Sequence, residues 1–221
     1  MKNIAAILAG GSGKRMGEEL PKQFIKVMGK TILEYSLEVF EKHPLIDEII
    51  VVLPNEFVGK LDQFIDLSHY HKLKAQLPGG SERYLSTLAA LRYYADEYDA
   101  TILFHDAARP MITQEIVSNV LYALNQFEAV CVAVPSTDTV IETSENGFIK
   151  HYPKRSTLVN AQTPQAFHIK VIKKAFSLAM QDIGFFTTDD CSIVHKYLPE
   201  IPIKIVPGSP NNLKVTNPID L

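Results

Sequence analysis

Over its first two-thirds the chain alternates short, wholly apolar runs with stretches whose apolar residues recur at helical spacing. Residues 4–8, 48–53, 101–105 and 129–135 are compact, rich in Val, Ile and Ala, and flanked by turn or charged residues. Runs that are apolar on both faces suit strands of a parallel sheet covered by helices on each side. Between them, Ile32, Tyr35, Val39 and Phe40 fall on one helical face, as do Leu85, Leu88 and Leu91 in the next stretch. Ile116, Val120, Ala123, Leu124 and Phe127 form a third stripe, with Thr113 placed to cap its helix. Strands alternating with helices of this length predict an α/β fold, a doubly wound, mostly parallel Rossmann-like sheet.

The alternation breaks after Pro135. Thr137-Asp138-Thr139-Val140-Ile141 and Phe148-Ile149-Lys150-His151-Tyr152 are short extended stretches separated by Glu145-Asn146-Gly147, and Asn-Gly between such runs signals a hairpin. So polar a hairpin buries little against its own sheet, so residues 136–159 are expected to project as an arm. Helical periodicity resumes near Ile169, a strand is expected over 201–206, and 213–216 reads as a last extended piece. The chain shows no repeat, low-complexity tract or linker, so residues 1–221 are expected to form one domain carrying an arm.

Composition narrows the function classes. Lys plus Arg is 22 and Asp plus Glu is 25, a formal net charge of 22 − 25 = −3. That balance argues against nucleic acid or an acidic membrane surface as partner, while leaving room for a local basic pocket. No apolar run approaches the ~20 residues that span a bilayer. Residues 4–9 follow Met1-Lys2-Asn3 as a signal segment would, yet they run into Gly10-Gly11-Ser12-Gly13-Lys14-Arg15 rather than a cleavage site, and read as a buried first strand. Cys131 and Cys191 have no metal-ligand spacing, which fits a reducing, cytoplasmic setting.

Three segments carry chemistry. After the first strand comes Leu8-Ala9-Gly10-Gly11-Ser12-Gly13-Lys14-Arg15-Met16-Gly17, then Pro21-Lys22-Gln23. Glycines after a buried strand let backbone N–H groups converge on an anion, and Arg15 and Lys22 are placed to fold over the same phosphates. A dinucleotide fingerprint fails because Met16 stands where its third glycine belongs, and a Walker A loop fails because Arg15 replaces the Ser or Thr that binds Mg²⁺. Taken alone, the glycines are equally a tight turn. Pro78-Gly79-Gly80-Ser81-Glu82-Arg83, with Ser86 following, suits close backbone approach to a ring or phosphate, or a plain loop before a helix. His105-Asp106-Ala107-Ala108-Arg109-Pro110 lies at the carboxyl end of a strand, where open α/β sheets bind ligands. There Asp106 is either a Mg²⁺ ligand or a loop cap paired with Arg109.

Weaker segments follow: Asp138-Thr139, Lys154-Arg155, Gln162-Thr163-Pro164-Gln165, Thr188-Asp189-Asp190 and Asn212-Leu213-Lys214-Val215-Thr216. Asp189-Asp190 reads most simply as a helix N-terminus, with acids favourable to the dipole. His69 and His71 have no carboxylate-rich partner motif and read as loop residues.

Taken together and in order, these segments resemble the 2-C-methyl-D-erythritol 4-phosphate cytidylyltransferases and the closely similar D-ribitol-5-phosphate cytidylyltransferases, over nearly the whole chain. The resemblance implies transfer of CMP from CTP to a polyol phosphate with Mg²⁺, releasing pyrophosphate. It implies Arg15, Lys22 and Lys214 as the catalytic cations and Asp106 as the Mg²⁺ ligand. It implies Ala9, Gly10, Gly11, Gly13, Gly80, Ser81, Ser86 and Ala107 around the nucleotide. Asp106, Arg109, Thr163 and Thr188 are implied for the polyol phosphate, with Thr139 and Arg155 reaching in from the arm of a second subunit in a homodimer.

Ala9-Gly10-Gly11 leans toward the ribitol branch and Ala107-Ala108-Arg109 toward the methylerythritol branch. The reading favours methylerythritol phosphate and isoprenoid precursor synthesis, with ribitol phosphate and teichoic acid or capsule synthesis as the alternative. A non-catalytic nucleotide-binding protein is more remote, since Arg15, Lys22, Asp106 and Lys214 are all present. Members of the family continue into a helix beyond the position of Leu221, so the carboxyl end is expected to be cut short.

Overall fold

The computed structural model describes residues 1–11 and 20–220. In chain order the strands and helices are β1 (Lys2–Leu8), β2 (Lys26–Val27), β3 (Lys30–Thr31), α1 (Ile32–Lys42), β4 (Glu48–Leu53), β5 (Leu73–Pro78), α2 (Arg83–Tyr93), β6 (Ala100–Asp106), α3 (Gln114–Leu124) and β7 (Ala129–Pro135). They continue with β8 (Glu142–Thr143), β9 (Ile149–His151), β10 (Val159–His168), α4 (Ile169–Ala179), α5 (Asp190–Tyr197) and β11 (Ile203–Pro207). The main sheet has seven strands in the order β11-β7-β10-β6-β1-β4-β5. Every pairing in it is parallel except the two made by β10.

The doubly apolar runs become central strands because both of their faces are covered. Alternate residues of β1 serve opposite cores: Ile4, Ala6 and Leu8 pack with α2, α4 and α5, while Ala5 and Ile7 pack with α1 and α3. Thr113 caps α3 by accepting from the Ile116 amide at 3.3 Å, as its sequence predicts. Thr31 and Glu34 close a capping box at the start of α1. The chain runs outward through β4 and β5, then crosses back to lay β6 on the other side of β1. This reversal opens a crevice above the carboxyl ends of β1 and β6, where a doubly wound sheet takes its ligand. Among the described residues no helix is long and apolar enough to cross a membrane.

Several expectations need correction. β10 has no counterpart in the apolar pattern, because its middle is Gln162-Thr163-Pro164-Gln165; these residues are buried nonetheless, and the Thr163–Pro164 bond is cis. The hairpin forms where Asn146-Gly147 puts it, with Gly147 at φ +80°, but its paired residues are only Glu142–Thr143 and Ile149–His151. Residues 213–216 form no strand. The buried face of α1 is Ile32, Leu33, Ser36, Leu37 and Phe40, and that of α2 is Ser86, Thr87, Ala90 and Leu91. In α2 polar residues can turn inward because Thr87 is satisfied there, its Oγ1 donating to Asp190 Oδ1 at 2.8 Å, and Ser86 faces a cleft.

Candidate active site

A cleft of about 210 Å³ lies at the crevice between β1 and β6. One wall is the end of β1: Leu8, Ala9, Gly10 and Gly11. The Ala9 amide bonds Val52 O at 2.8 Å, and its carbonyl accepts from Gln23 Nε2 at 2.6 Å, so the backbone here is held on both sides. The opposing wall comes from the start of α2, with Gly80, Ser81 and Ser86. A Cβ on Gly10 would stand 2.8 Å from Ser86 Oγ, and one on Gly80 would overlap the Leu85 side chain. Both walls therefore require glycine for their close approach. Asp106, Ala107 and Ala108 form the floor, and Lys22, Gln23, Glu82, Arg83 and Lys214 also line the cleft.

The two lysines come from opposite ends of the chain. Lys22 opens the short turn after Pro21, and its Nζ donates to Val215 O at 2.7 Å. The Val215 amide donates in turn to Ala108 O at 2.8 Å, pinning the final segment onto the floor. Lys214 Nζ donates to Asp106 Oδ2 at 2.6 Å, while Oδ1 accepts from Arg83 Nε at 3.0 Å. Burial pushes the Asp106 carboxyl up, but the charges of Arg83 and Lys214 outweigh it and hold the group well below the usual carboxylate range. Asp106 is thus a buried, ionised carboxylate.

Behind the floor, His105 is fully buried, and burial pushes its imidazole down to about 4. The neutral ring satisfies a three-link chain. Thr163 Oγ1 lies 3.1 Å from His105 Nδ1, His105 Nε2 lies 3.2 Å from Arg109 O, and Thr163 Oγ1 accepts from the Asp106 amide at 3.1 Å. The Thr163 hydroxyl is therefore spent on orienting the end of β6. Arg109 does not pair with Asp106: its Nη1 donates to Asn212 O at 2.8 Å.

Of the residues expected to bind substrate, Ala9, Gly10, Gly11, Lys22, Gly80, Ser81, Ser86, Asp106, Ala107 and Lys214 line the cleft. Gly13 and Arg15 lie outside the described residues. Thr188 lines a neighbouring hollow of about 120 Å³ that shares Glu82 and Arg83 with the cleft. Thr139 and Arg155 lie exposed at the base of the β8–β9 hairpin and do not line the cleft.

Arg83 and Gln23 carry no role in the reading of the sequence. The Gly-Gly-Ser-Glu-Arg segment was a usable signal for Arg83. The helix N-terminus expected at Asp189-Asp190 is there, with Asp189 as N-cap and Asp190 in the first turn; beyond that reading, Asp190 is fully buried in an ion pair with Arg83 at 2.7 Å. Among the described residues no three His, Cys, Asp or Glu side chains gather as a metal cage. Asp106 still fits a cation held mainly by phosphate oxygens, because Mg²⁺ takes one or two carboxylates and completes its shell with phosphates and water.

Comparison with known proteins identifies the family. Residues 4–221 match the family of 2-C-methyl-D-erythritol 4-phosphate cytidylyltransferases. The enzyme of that name from Thermobifida fusca is 41% identical, over 98% of this chain and 89% of its own. A bifunctional ribulose 5-phosphate reductase/CDP-ribitol pyrophosphorylase from Haemophilus influenzae is 42% identical over all of this chain, which spans 47% of that protein. The crystal structure of 4-diphosphocytidyl-2C-methyl-D-erythritol synthase from Anaerococcus prevotii superposes with a TM-score of 0.86 at 28% identity, covering 99% of this chain and 92% of that one. By the family match over nearly its whole length, by sequence identity and by overall fold, the chain belongs to the 2-C-methyl-D-erythritol 4-phosphate cytidylyltransferase family.

Proposed function

We propose that the cleft transfers CMP from CTP to 2-C-methyl-D-erythritol 4-phosphate, releasing pyrophosphate, as a step of isoprenoid precursor synthesis. The observation that carries this reading is the convergence of Lys22, Lys214 and ionised Asp106 on a cleft walled by glycine backbone. The acceptor's phosphate monoester has a second pKa of about 6 and is already anionic near neutrality, so it needs no general base. An oxygen of that phosphate attacks the α-phosphorus of CTP, and the bond to the β-phosphate breaks with its electron pair leaving on pyrophosphate. The protein's task is to hold two anions in line and to stabilise the charge that develops. Lys22 and Lys214 serve that task, joined by Arg15. Gly80, Ser81 and Ser86 are assigned to the cytosine. Mg²⁺, when bound, neutralises triphosphate charge, and Asp106 is the residue that would hold it.

Arg109 and Thr188 are assigned to the acceptor's phosphate and hydroxyls, with Thr163 behind them. In this reading residues 136–159 are a dimerisation arm of a one-domain protein and bring Thr139 and Arg155 to the partner's site. Val140, Phe148, Ile149 and Tyr152 are exposed on and beside the hairpin, and four large apolar side chains exposed on one short segment suit a protein interface. The two free, buried thiols fit a reducing, cytoplasmic compartment.

The identity to the Haemophilus influenzae protein supports a second reading, in which D-ribitol 5-phosphate is the acceptor. Pyrophosphate release with CTP and Mg²⁺, offering each polyol phosphate in parallel, separates the two. Turnover with methylerythritol phosphate alone is expected. Turnover with ribitol phosphate alone replaces the first reading with the second, and silence with both overturns the transfer reaction.

A further inference from the structure

The charges that begin at Lys214 do not end at Asp106. Arg83, the first residue of α2, donates from Nε to Asp106 Oδ1 at 3.0 Å and from Nη1 to Asp190 Oδ2 at 2.7 Å. The other oxygen of Asp190 accepts from Thr87 Oγ1 at 2.8 Å. One guanidinium is therefore gripped by two buried carboxylates, and each of the four carboxylate oxygens has a named donor. A buried ion pair is poor value as a source of stability, because desolvating the ions offsets their attraction, so its role is better sought in what it positions.

Arg83 is placed to position something. It lines both the cleft that reaches Gly10 and Lys214 and the hollow that reaches Thr187 and Thr188. Thr188 stands two residues before Asp190 on the loop that enters α5. Gln165 grips the same turn from β10, donating to Asp189 Oδ2 at 2.6 Å and accepting from the Cys191 amide at 3.0 Å. The distance between the Thr188 loop and Asp106 is thus set by a planar fork with one carboxylate on each side. A lysine ammonium presents no such fork. The remaining nitrogen, Nη2, is buried and has no hydrogen-bond partner among the described residues, so the guanidinium is held for two contacts at the expense of a third.

The geometry points to Arg83 as a positioning residue of the transfer reaction, one that joins Asp106 to Asp190 and so sets the acceptor loop at Thr188 against the reacting end of the cleft. The inference rests on the proposed reading of the cleft as the CTP site and of the Thr188 hollow as part of the acceptor site.

The test uses the full-length chain with two variants. Arg83→Lys keeps the charge and loses the fork. Arg83→Gln combined with Asp190→Asn removes both charges of that pair, and Asp106 keeps the ammonium of Lys214, so no buried ion is left unpaired. Steady-state kinetics is run with each substrate varied, and binding of CTP alone is measured by calorimetry. Both variants are expected to raise KM for the polyol phosphate and lower kcat by about tenfold or more, with the Kd for CTP kept within about threefold. If the neutral pair restored wild-type kinetics, the bridge would be merely structural and the inference overturned. A loss of CTP binding equal to the loss of turnover would also overturn it, by assigning Arg83 to the nucleotide. Absence of turnover by the wild-type protein would instead strike at the reading of the function.

Discussion

The ammonium of Lys22 donates to the carbonyl oxygen of Val215, the residue next to Lys214, at 2.7 Å. Two cations separated by nearly the whole sequence are thereby tied to one spot on the floor of the cleft. Each then acts from a fixed position, which is the condition for a preorganised charge to favour a transition state over a ground state. Lys22→Ala and Lys214→Ala are each expected to lower kcat by about 10²–10³ with the fold intact, by analogy with loss of one oxyanion donor. Pyrophosphate release checks this, and near-normal turnover in either variant would remove that lysine from the reaction.

The two walls of the cleft predict a specific double-variant result. Gly10→Ala places a methyl group 2.8 Å from Ser86 Oγ and is expected to weaken CTP binding. Adding Ser86→Ala removes the atom that the methyl meets, so binding is expected to recover in part, and the coupling between the two sites should be of the order of 1 kcal/mol. Strictly additive effects would show that the walls are not in contact in solution.

Acid is expected to destabilise the protein well above the range where carboxylates protonate. His105 and His43 are buried, and burial lowers both imidazoles, His105 to about 4. Their folded pKa values lie below the unfolded value of about 6.5, so it is the unfolded chain that takes up the proton first. Stability is therefore full above that value and falls as pH drops toward 4, by roughly 3 kcal/mol for His105 alone. Urea midpoints measured from pH 7.5 to 4.5 should decline, and His105→Gln should flatten the decline. A midpoint independent of pH over this range would contradict the buried, neutral ring.

Subunit mixing tests the arm. Arg155→Ala is expected to raise KM for the polyol phosphate and leave that for CTP unchanged. If the arm acts across the dimer, a mixture of Arg155→Ala and Lys22→Ala chains rebuilds one intact site in each mixed dimer. With random exchange, about a quarter of the sites are then restored, read as activity at low polyol phosphate. Activity no higher than the average of the parents would confine the arm to its own chain.

Much of this was legible in the chain, for physical reasons. β1, β4, β6 and β7 announce themselves because strands covered on both faces need apolar residues at every position. β10 is silent because its buried centre is polar. Gln165 bonds Asp189 and the Cys191 amide, and Thr163 bonds the Asp106 amide, so each polar group is satisfied by a partner remote in sequence. The same holds for Arg83 and Asp190, which are 107 residues apart. An acid at a helix start, as Asp190 is, looks like a favourable pairing with the dipole, and only the fold shows that it is buried against an arginine. The cleft walls were more readable, since the glycine pairs at strand ends stand beside cations and a polar helix start, where a plain turn needs neither.

Because β10 runs opposite to its neighbours, it leaves from the same edge of the sheet at which β7 arrives. The intervening segment is thus a loop between adjacent strands and bears no crossover, and changing its length shifts no register within the core. Residues 136–158 form an insertion at the rim of the sheet that the frame of the core does not depend on. Grafting the corresponding segment of a relative should therefore be structurally silent in the sheet, a result that melting temperature and the circular dichroism of the graft would check.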